Sequence, residues 1–168
     1  MRTCAVLLLS LASQIACAAA APLPKPVKIA LDAVTAICTE VEGKPNTVDA
    51  IKRVDLNADS HEDYVLDVGS VNCDGAASVY GDREKGVLIF VGDGTGGATE
   101  AFNEPSFGIR LDDSGATPKL WLTVMGAMCG QKPAADFASE NFCERALQWN
   151  AKTRRFDFAP VSTVRMIE

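Results

Sequence analysis

Apolar and polar positions alternate with two different periods along this chain, and the change of period marks the elements. Over Val27–Val41, Ile29, Ala33, Ala36 and Ile37 recur near the 3.6-residue repeat of an α-helix, and Val34, Cys38 and Val41 extend the stripe. Gly43 and Pro45 follow as stop signals. Beyond them the pattern is that of strands. Val48, Ile51 and Val54–Leu56 suggest a first strand, and Asp63–Val68 a second. Val87–Val91 is an unbroken apolar run, expected as a central strand buried on both faces. Strands are also expected over Glu100–Asn103, Phe107–Leu111 and Leu120–Met125. Cys143–Asn150 and Arg155–Ala159 read as a terminal hairpin with Leu147, Trp149, Phe156 and Phe158 pointing inward. No repeat of 20–50 residues is visible. The pattern predicts an α+β domain: a mainly antiparallel β-sheet with one N-terminal helix packed on it.

The first 21 residues follow a different logic. A short basic start (Met1-Arg2-Thr3), an apolar stretch from Ala5 to Ile15, and Ala-x-Ala patterns at Ala16–Ala18 and Ala18–Ala20 read as a secretory signal peptide. The apolar stretch is too short to span a bilayer as a helix, and no later segment qualifies. Cys17 after Gln14-Ile15-Ala16 resembles a bacterial lipobox, but Gln14 stands where an aliphatic residue is preferred, which argues against a lipid anchor. Pro22, Pro24 and Pro26 mark residues 22–26 as a linker, leaving 27–168 as a single globular domain. These features imply a periplasmic or secreted protein.

Removing residues 1–21 changes what the composition says. The 168-residue chain carries 16 Lys and Arg against 22 Asp and Glu, a net charge of −6; losing Arg2 makes it −7. Such a chain lacks the basic surface needed for nucleic acid. The one basic cluster, Lys152-Thr153-Arg154-Arg155, reads as the solvated turn of the terminal hairpin. Four of the six cysteines remain: Cys38, Cys73, Cys129 and Cys143. An even count in an oxidising compartment points to disulfides. Three pairings are possible, and proximity in sequence favours Cys38–Cys73 with Cys129–Cys143. Zinc is disfavoured because there is no Cys-x-x-Cys and His61 is the only histidine.

The candidate chemistry lies between the first two strands. In Asp55-Leu56-Asn57-Ala58-Asp59-Ser60-His61-Glu62-Asp63, oxygen-bearing side chains fall at positions 1, 3, 5 and 9. That spacing aims alternate side chains at one hard cation, with the backbone carbonyl of His61 available at position 7. The segment resembles the Asp-x-Asp-x-Asp-Gly-x-x-Asp calcium loops of FG-GAP and VCBS-type repeats. The resemblance implies Ca²⁺ held by Asp55, Asn57, Asp59 and Asp63 between two strands. It covers about a dozen residues in one copy, so it does not imply a propeller. More loosely, the whole chain is similar to small exported bacterial proteins of unknown function that pair such a loop with Cys73, Cys129-Gly130, Cys143 and Leu147-Gln148-Trp149. Relative to the EF-hand, Ser60 stands where glycine is expected and Leu66 where a bidentate Glu closes the site, which lowers the expected affinity to roughly 10⁻⁴–10⁻³ M. The same residues also read as an acidic hairpin turn, with Asp and Asn bonding local backbone. The two readings stay open at this level.

Other signals carry less. Gly92-Asp93-Gly94-Thr95-Gly96-Gly97 matches G-x-G-x-x-G, but no helix is expected after it, so it reads as a hairpin loop rather than a dinucleotide site. His61 reads as a solvated loop residue. The acid pairs Asp112-Asp113 and Glu140 with Glu144 are the nearest thing to glycosidase carboxylates. Trp121 and Trp149 read as sheet core. No nucleophile–base set is visible. The leading expectation is therefore a non-enzymatic, monomeric exported domain that binds a protein or glycan. A cell-envelope hydrolase using carboxylates, or an inhibitor of a host or competitor enzyme, are the alternatives.

Overall fold

The computed structural model describes residues 21–167. The expected signal peptide and Cys17 lie outside them, apart from Ala21. Helix α1 (Lys25–Glu40) is followed by the strands β1 (Lys44–Asn46), β2 (Ile51–Val54), β3 (Asp63–Asp67), β4 (Asn72–Asp74) and β5 (Lys85–Gly92). Then come β6 (Ala98–Ser106), β7 (Gly108–Asp112), β8 (Lys119–Met125), β9 (Phe142–Asn150), β10 (Arg155–Phe158) and β11 (Arg165–Met166). All the strand pairings are antiparallel. The fold is α+β, with one helix on a mainly antiparallel framework.

The strands divide between two principal sheets, ordered β2-β3-β5-β6 and β10-β9-β8-β7, with β11 also pairing with β9. A two-stranded ribbon, β1-β4, stands apart. Period-2 alternation explains the layering, because successive strand residues point to opposite faces. Val65, Val87, Ile89 and Val91 of the first sheet meet Leu120, Leu122, Val124, Leu147 and Phe156 of the second in one core. The other face of the first sheet offers Tyr64, Leu66, Leu88 and Phe90 to α1, through Val27, Ala30, Leu31 and Val34. Strand β5 is therefore sandwiched between a sheet and a helix, which is why Val87–Val91 has no polar side.

The terminal hairpin pairs Leu147 with Phe158 and Trp149 with Phe156, all four on the core. Its turn exposes Lys152, Thr153, Arg154 and Arg155. Trp121 is buried on the outer face of the second sheet, against Ala146 and Ala159.

Two expectations about the N-terminal region need correction. Residues 22–26 are not simply a linker. Pro24 is buried, Leu23 packs with Val27, Tyr64 and Phe90, and the helix already begins at Lys25 with Pro26 in its first turn. Proline is tolerated there because a first-turn N–H has no helical acceptor to lose. The helix also buries a different stripe from the one expected. Val27, Ala30, Leu31, Val34 and Cys38 face inward, while Ile29, Ile37 and Val41 remain 57%, 44% and 50% exposed. The helix carries two apolar stripes, and tertiary anchors select between them. The anchors are the Cys38 disulfide and a hydrogen bond from the Tyr80 hydroxyl to the Val34 carbonyl, 3.1 Å.

Both disulfides are present as expected. Cys38–Cys73 ties the end of α1 to β4, with Cα atoms 5.7 Å apart. Cys129–Cys143 ties the loop after β8 to the start of β9, at 6.6 Å.

Candidate functional site

The loop between β2 and β3 organises itself through its own carboxylates. The two carboxylate oxygens of Asp55 accept the amides of Asp59 (3.2 Å) and Ser60 (2.9 Å). Asn57 Oδ1 accepts the Asp59 amide at 3.0 Å, and Asp59 Oδ1 accepts the His61 amide at 2.9 Å. Asn57 Nδ2 donates to Asp59 Oδ2 at 2.9 Å. This turn needs left-handed backbone at Ala58 (φ 62°) and Ser60 (φ 67°). Residues with a Cβ adopt that region at a cost of about 1 kcal/mol or more each. Ser60 thus takes the conformation for which glycine is usual at this position.

Asp63 behaves differently from its three neighbours. It is fully buried. Its Oδ2 accepts the Leu56 amide at 2.9 Å, and its Oδ1 accepts the Gly92 amide at 3.1 Å. Leu56 opens the acidic loop and Gly92 opens the glycine-rich loop, so one carboxylate pins both to the end of the first sheet. Burial pushes its pKa up to about 6, against the pull of those two amides and with the help of the nearby Asp59 and Asp55 charges. Each of its oxygens holds a backbone amide and neither reaches solvent. It is a structural pin.

The glycine-rich loop closes on itself as well. Asp93 Oδ1 accepts the amides of Thr95 (2.8 Å) and Gly97 (3.0 Å) and the Thr95 hydroxyl (2.8 Å), which holds its carboxyl below the usual range. Strand β6 follows directly, so the helix that a dinucleotide site requires is absent here. The glycines serve close approach. A Cβ on Gly92 would overlap the Glu62 carbonyl oxygen, and one on Gly94 would strike the His61 ring. The acidic loop, through His61 and Glu62, and the glycine loop are thereby brought together, although in sequence they read as two unrelated signals. The signal that could have joined them is Gly92 itself, a glycine closing an otherwise apolar strand.

Between these loops and residues 21–25 lies a groove of about 410 Å³. Lys25, His61, Glu62 and Tyr64 line it, with the backbone of Gly94 and Gly97. Arg53 braces its rim, pairing with Glu62 at 3.2 Å and donating to the Ala21 carbonyl.

The carboxylate pairs considered for hydrolysis are each engaged elsewhere. Glu144 forms a two-pronged pair with Arg110 (2.9 and 2.6 Å), which lowers its pKa. Glu140 accepts the Gly126 amide at 3.0 Å, and Asp112 accepts the Ser114 hydroxyl and amide. Asp112 and Glu144 are held below the usual carboxylate range, the opposite of what a general acid needs.

No family model, curated protein or solved structure matches the chain.

Whether calcium suits the acidic loop depends on its donors. Among the described residues, no three His, Cys, Asp or Glu side chains converge tightly enough to hold a metal by themselves. Asn57 and a backbone carbonyl would have to complete the set. Asp55, Asn57 and Asp59 each keep lone pairs after their amide bonds, since a carboxylate accepts about four hydrogen bonds. Asp55, Asp59, Glu62 and Asp63 crowd into nine residues and, among the described residues, only Arg53 forms an ion pair with any of them. An oxygen-rich, anion-excess loop of this kind suits a hard cation.

Proposed function

We propose that this chain is an exported, disulfide-stapled binding domain. It engages a protein or glycan through the loop end of its first sheet, with one Ca²⁺ held in the Asp55–His61 loop. The observation that carries the reading is the Asp63 pin, which joins two loops of a groove into one rigid platform. Rigid loops bordering a concave surface are the usual setting of recognition. Paired cysteines fit an oxidising compartment. Among the described residues no helix is long and apolar enough to cross a membrane. Asp55, Asn57, Asp59 and the His61 carbonyl would hold the ion. Its contribution would be to offset the loop's negative charge and hold its strained turn.

Thermal melting tests the calcium part. With a dissociation constant of roughly 10⁻⁴ M, about 10 mM calcium should stabilise the fold by about 2.7 kcal/mol; at roughly 10⁻³ M the gain is about 1.4 kcal/mol. The melting temperature should rise by roughly 3–10 °C over that in EDTA. Asp59→Ala should abolish the rise. A melting temperature indifferent to calcium in the unmodified protein would remove the ion from this account, leaving the loop as a self-bonded acidic turn.

A further inference from the structure

The stripe that α1 leaves in solvent is as regular as the one it buries. Ile29, Ala33, Ala36, Ile37 and Val41 fall at i, i+4, i+7, i+8 and i+12, one continuous apolar face. All five are exposed, and none belongs to the helix's contacts with the sheet. A two-sided apolar helix has a second side to cover.

The charges of the same helix say what covers it. No acidic residue lies in its first turn and no basic residue in its last. Instead Lys25 and Lys28 stand at the N-terminal end and Glu40 and Glu42 at the C-terminal end, all exposed. That order opposes the helix dipole; Lys28 is offset within the chain by Asp32, 2.6 Å away, but among the described residues Lys25, Glu40 and Glu42 enter no ion pair. The order is, however, self-complementary when two such helices run antiparallel. Lys25 of each then meets Glu40 of the other.

We infer that the exposed face of α1 is the interface of a homodimer, in which two copies pair antiparallel about Ala33. Centring on Ala33 sets Ile29 of one copy opposite Ile37 of the other, and Lys25 beside Glu40. Small side chains at Ala33 and Ala36 permit close axes, and a crossing near 20° keeps both helix ends within reach. The two-fold symmetry repeats every contact twice. One helix pair is smaller than the standard interface of about 1,200–2,000 Å², so the dimer is weak and depends on concentration.

Sedimentation equilibrium of the purified, oxidised protein, from about 10 µM to about 1 mM, should show monomer passing into dimer. Ile37→Glu should weaken association at least about tenfold while leaving the circular dichroism melt in place, because Ile37 is not part of the core. Charge reversal gives the sharper result. Lys25→Glu, or Glu40→Lys, should each weaken self-association. An equimolar mixture of the two reversed proteins should form a heterodimer. Three outcomes overturn the inference: a monomer throughout, a dimer indifferent to Ile37→Glu, or no rescue on mixing. A monomer that binds vesicles of phosphatidylethanolamine and phosphatidylglycerol would assign the face to a lipid surface instead.

Discussion

Asp63→Ala, at the start of β3, should destabilise the fold by roughly 2–6 kcal/mol, the largest effect expected from any single substitution at the candidate site. The change strands two buried donors, the Leu56 and Gly92 amides, at about 1–3 kcal/mol each. A domain of this size has only about 5–15 kcal/mol to lose. Urea denaturation should show a lower midpoint with an unchanged slope. Asp63→Asn should fall in between, because its amide group must face one of the two N–H donors. By contrast, Asp59→Ala in EDTA removes only exposed loop hydrogen bonds and should cost much less. If Asp63→Ala melts with the parent protein, the two loops are held by something else and the platform argument fails.

The same residue sets a pH dependence with a definite sign. Its folded pKa of about 6 lies above the ordinary 3.8, chiefly because burial penalises the charged form. Between those values the folded state binds a proton that the unfolded state releases. The contribution is therefore fully present below about pH 4 and lost as pH rises through about 6. The rise from 3.8 to about 6 corresponds to roughly 3 kcal/mol. Asp93, Asp112, Asp136 and Glu144 have lowered values and act in the opposite sense, toward acid. Melting in EDTA should therefore fall between pH 4 and pH 6.5 in the parent protein, and Asp63→Asn should flatten that segment. A parent profile that rises across the same range would refute the assignment.

How far the sequence foretold this arrangement differs from residue to residue. Periodicity located α1 and the main strands because burial on a sheet face enforces alternation at Leu120, Leu122 and Val124, and burial on both faces removes it at Val87–Val91. It did not locate the β1-β4 ribbon, whose residues other than Cys73 are exposed and carry no apolar pattern. Nor did it choose the buried stripe of α1, since two stripes of similar apolar character share that helix and only long-range anchors separate them. At the candidate site, loop spacing identified Asp55, Asn57 and Asp59 as a cluster of converging oxygens. It placed Asp63 with them as an equal. The difference is made by Gly92, 29 residues away in sequence, whose amide claims one of the Asp63 oxygens. No local pattern carries that information.

Gly43 shows the same limit and leads to the second large effect. In sequence it reads as a helix stop, yet it does not occupy positive φ; Glu42, at φ 60°, makes the left-handed turn. Gly43 is small because the Cys38–Cys73 disulfide passes over it. A Cβ there would overlap Cys73 Sγ and come within 2.8 Å of Cys38 Sγ. The disulfide closes a sequence separation of 35, against 14 for Cys129–Cys143. Loop entropy alone then assigns about 4 kcal/mol to the first and about 3 kcal/mol to the second. Cys38→Ala with Cys73→Ala should accordingly lower stability by about 4 kcal/mol, more than the matching pair at Cys129 and Cys143. Gly43→Ala in the oxidised protein should cost about 1–3 kcal/mol through overpacking against the sulfurs. In the Cys38→Ala, Cys73→Ala background those sulfurs are gone, and the alanine should cost a small fraction of that. The resulting non-additivity, read from urea midpoints of the four proteins, measures the contact directly. Strict additivity would show that Gly43 serves the backbone after all, and that the helix end needs its flexibility rather than its size.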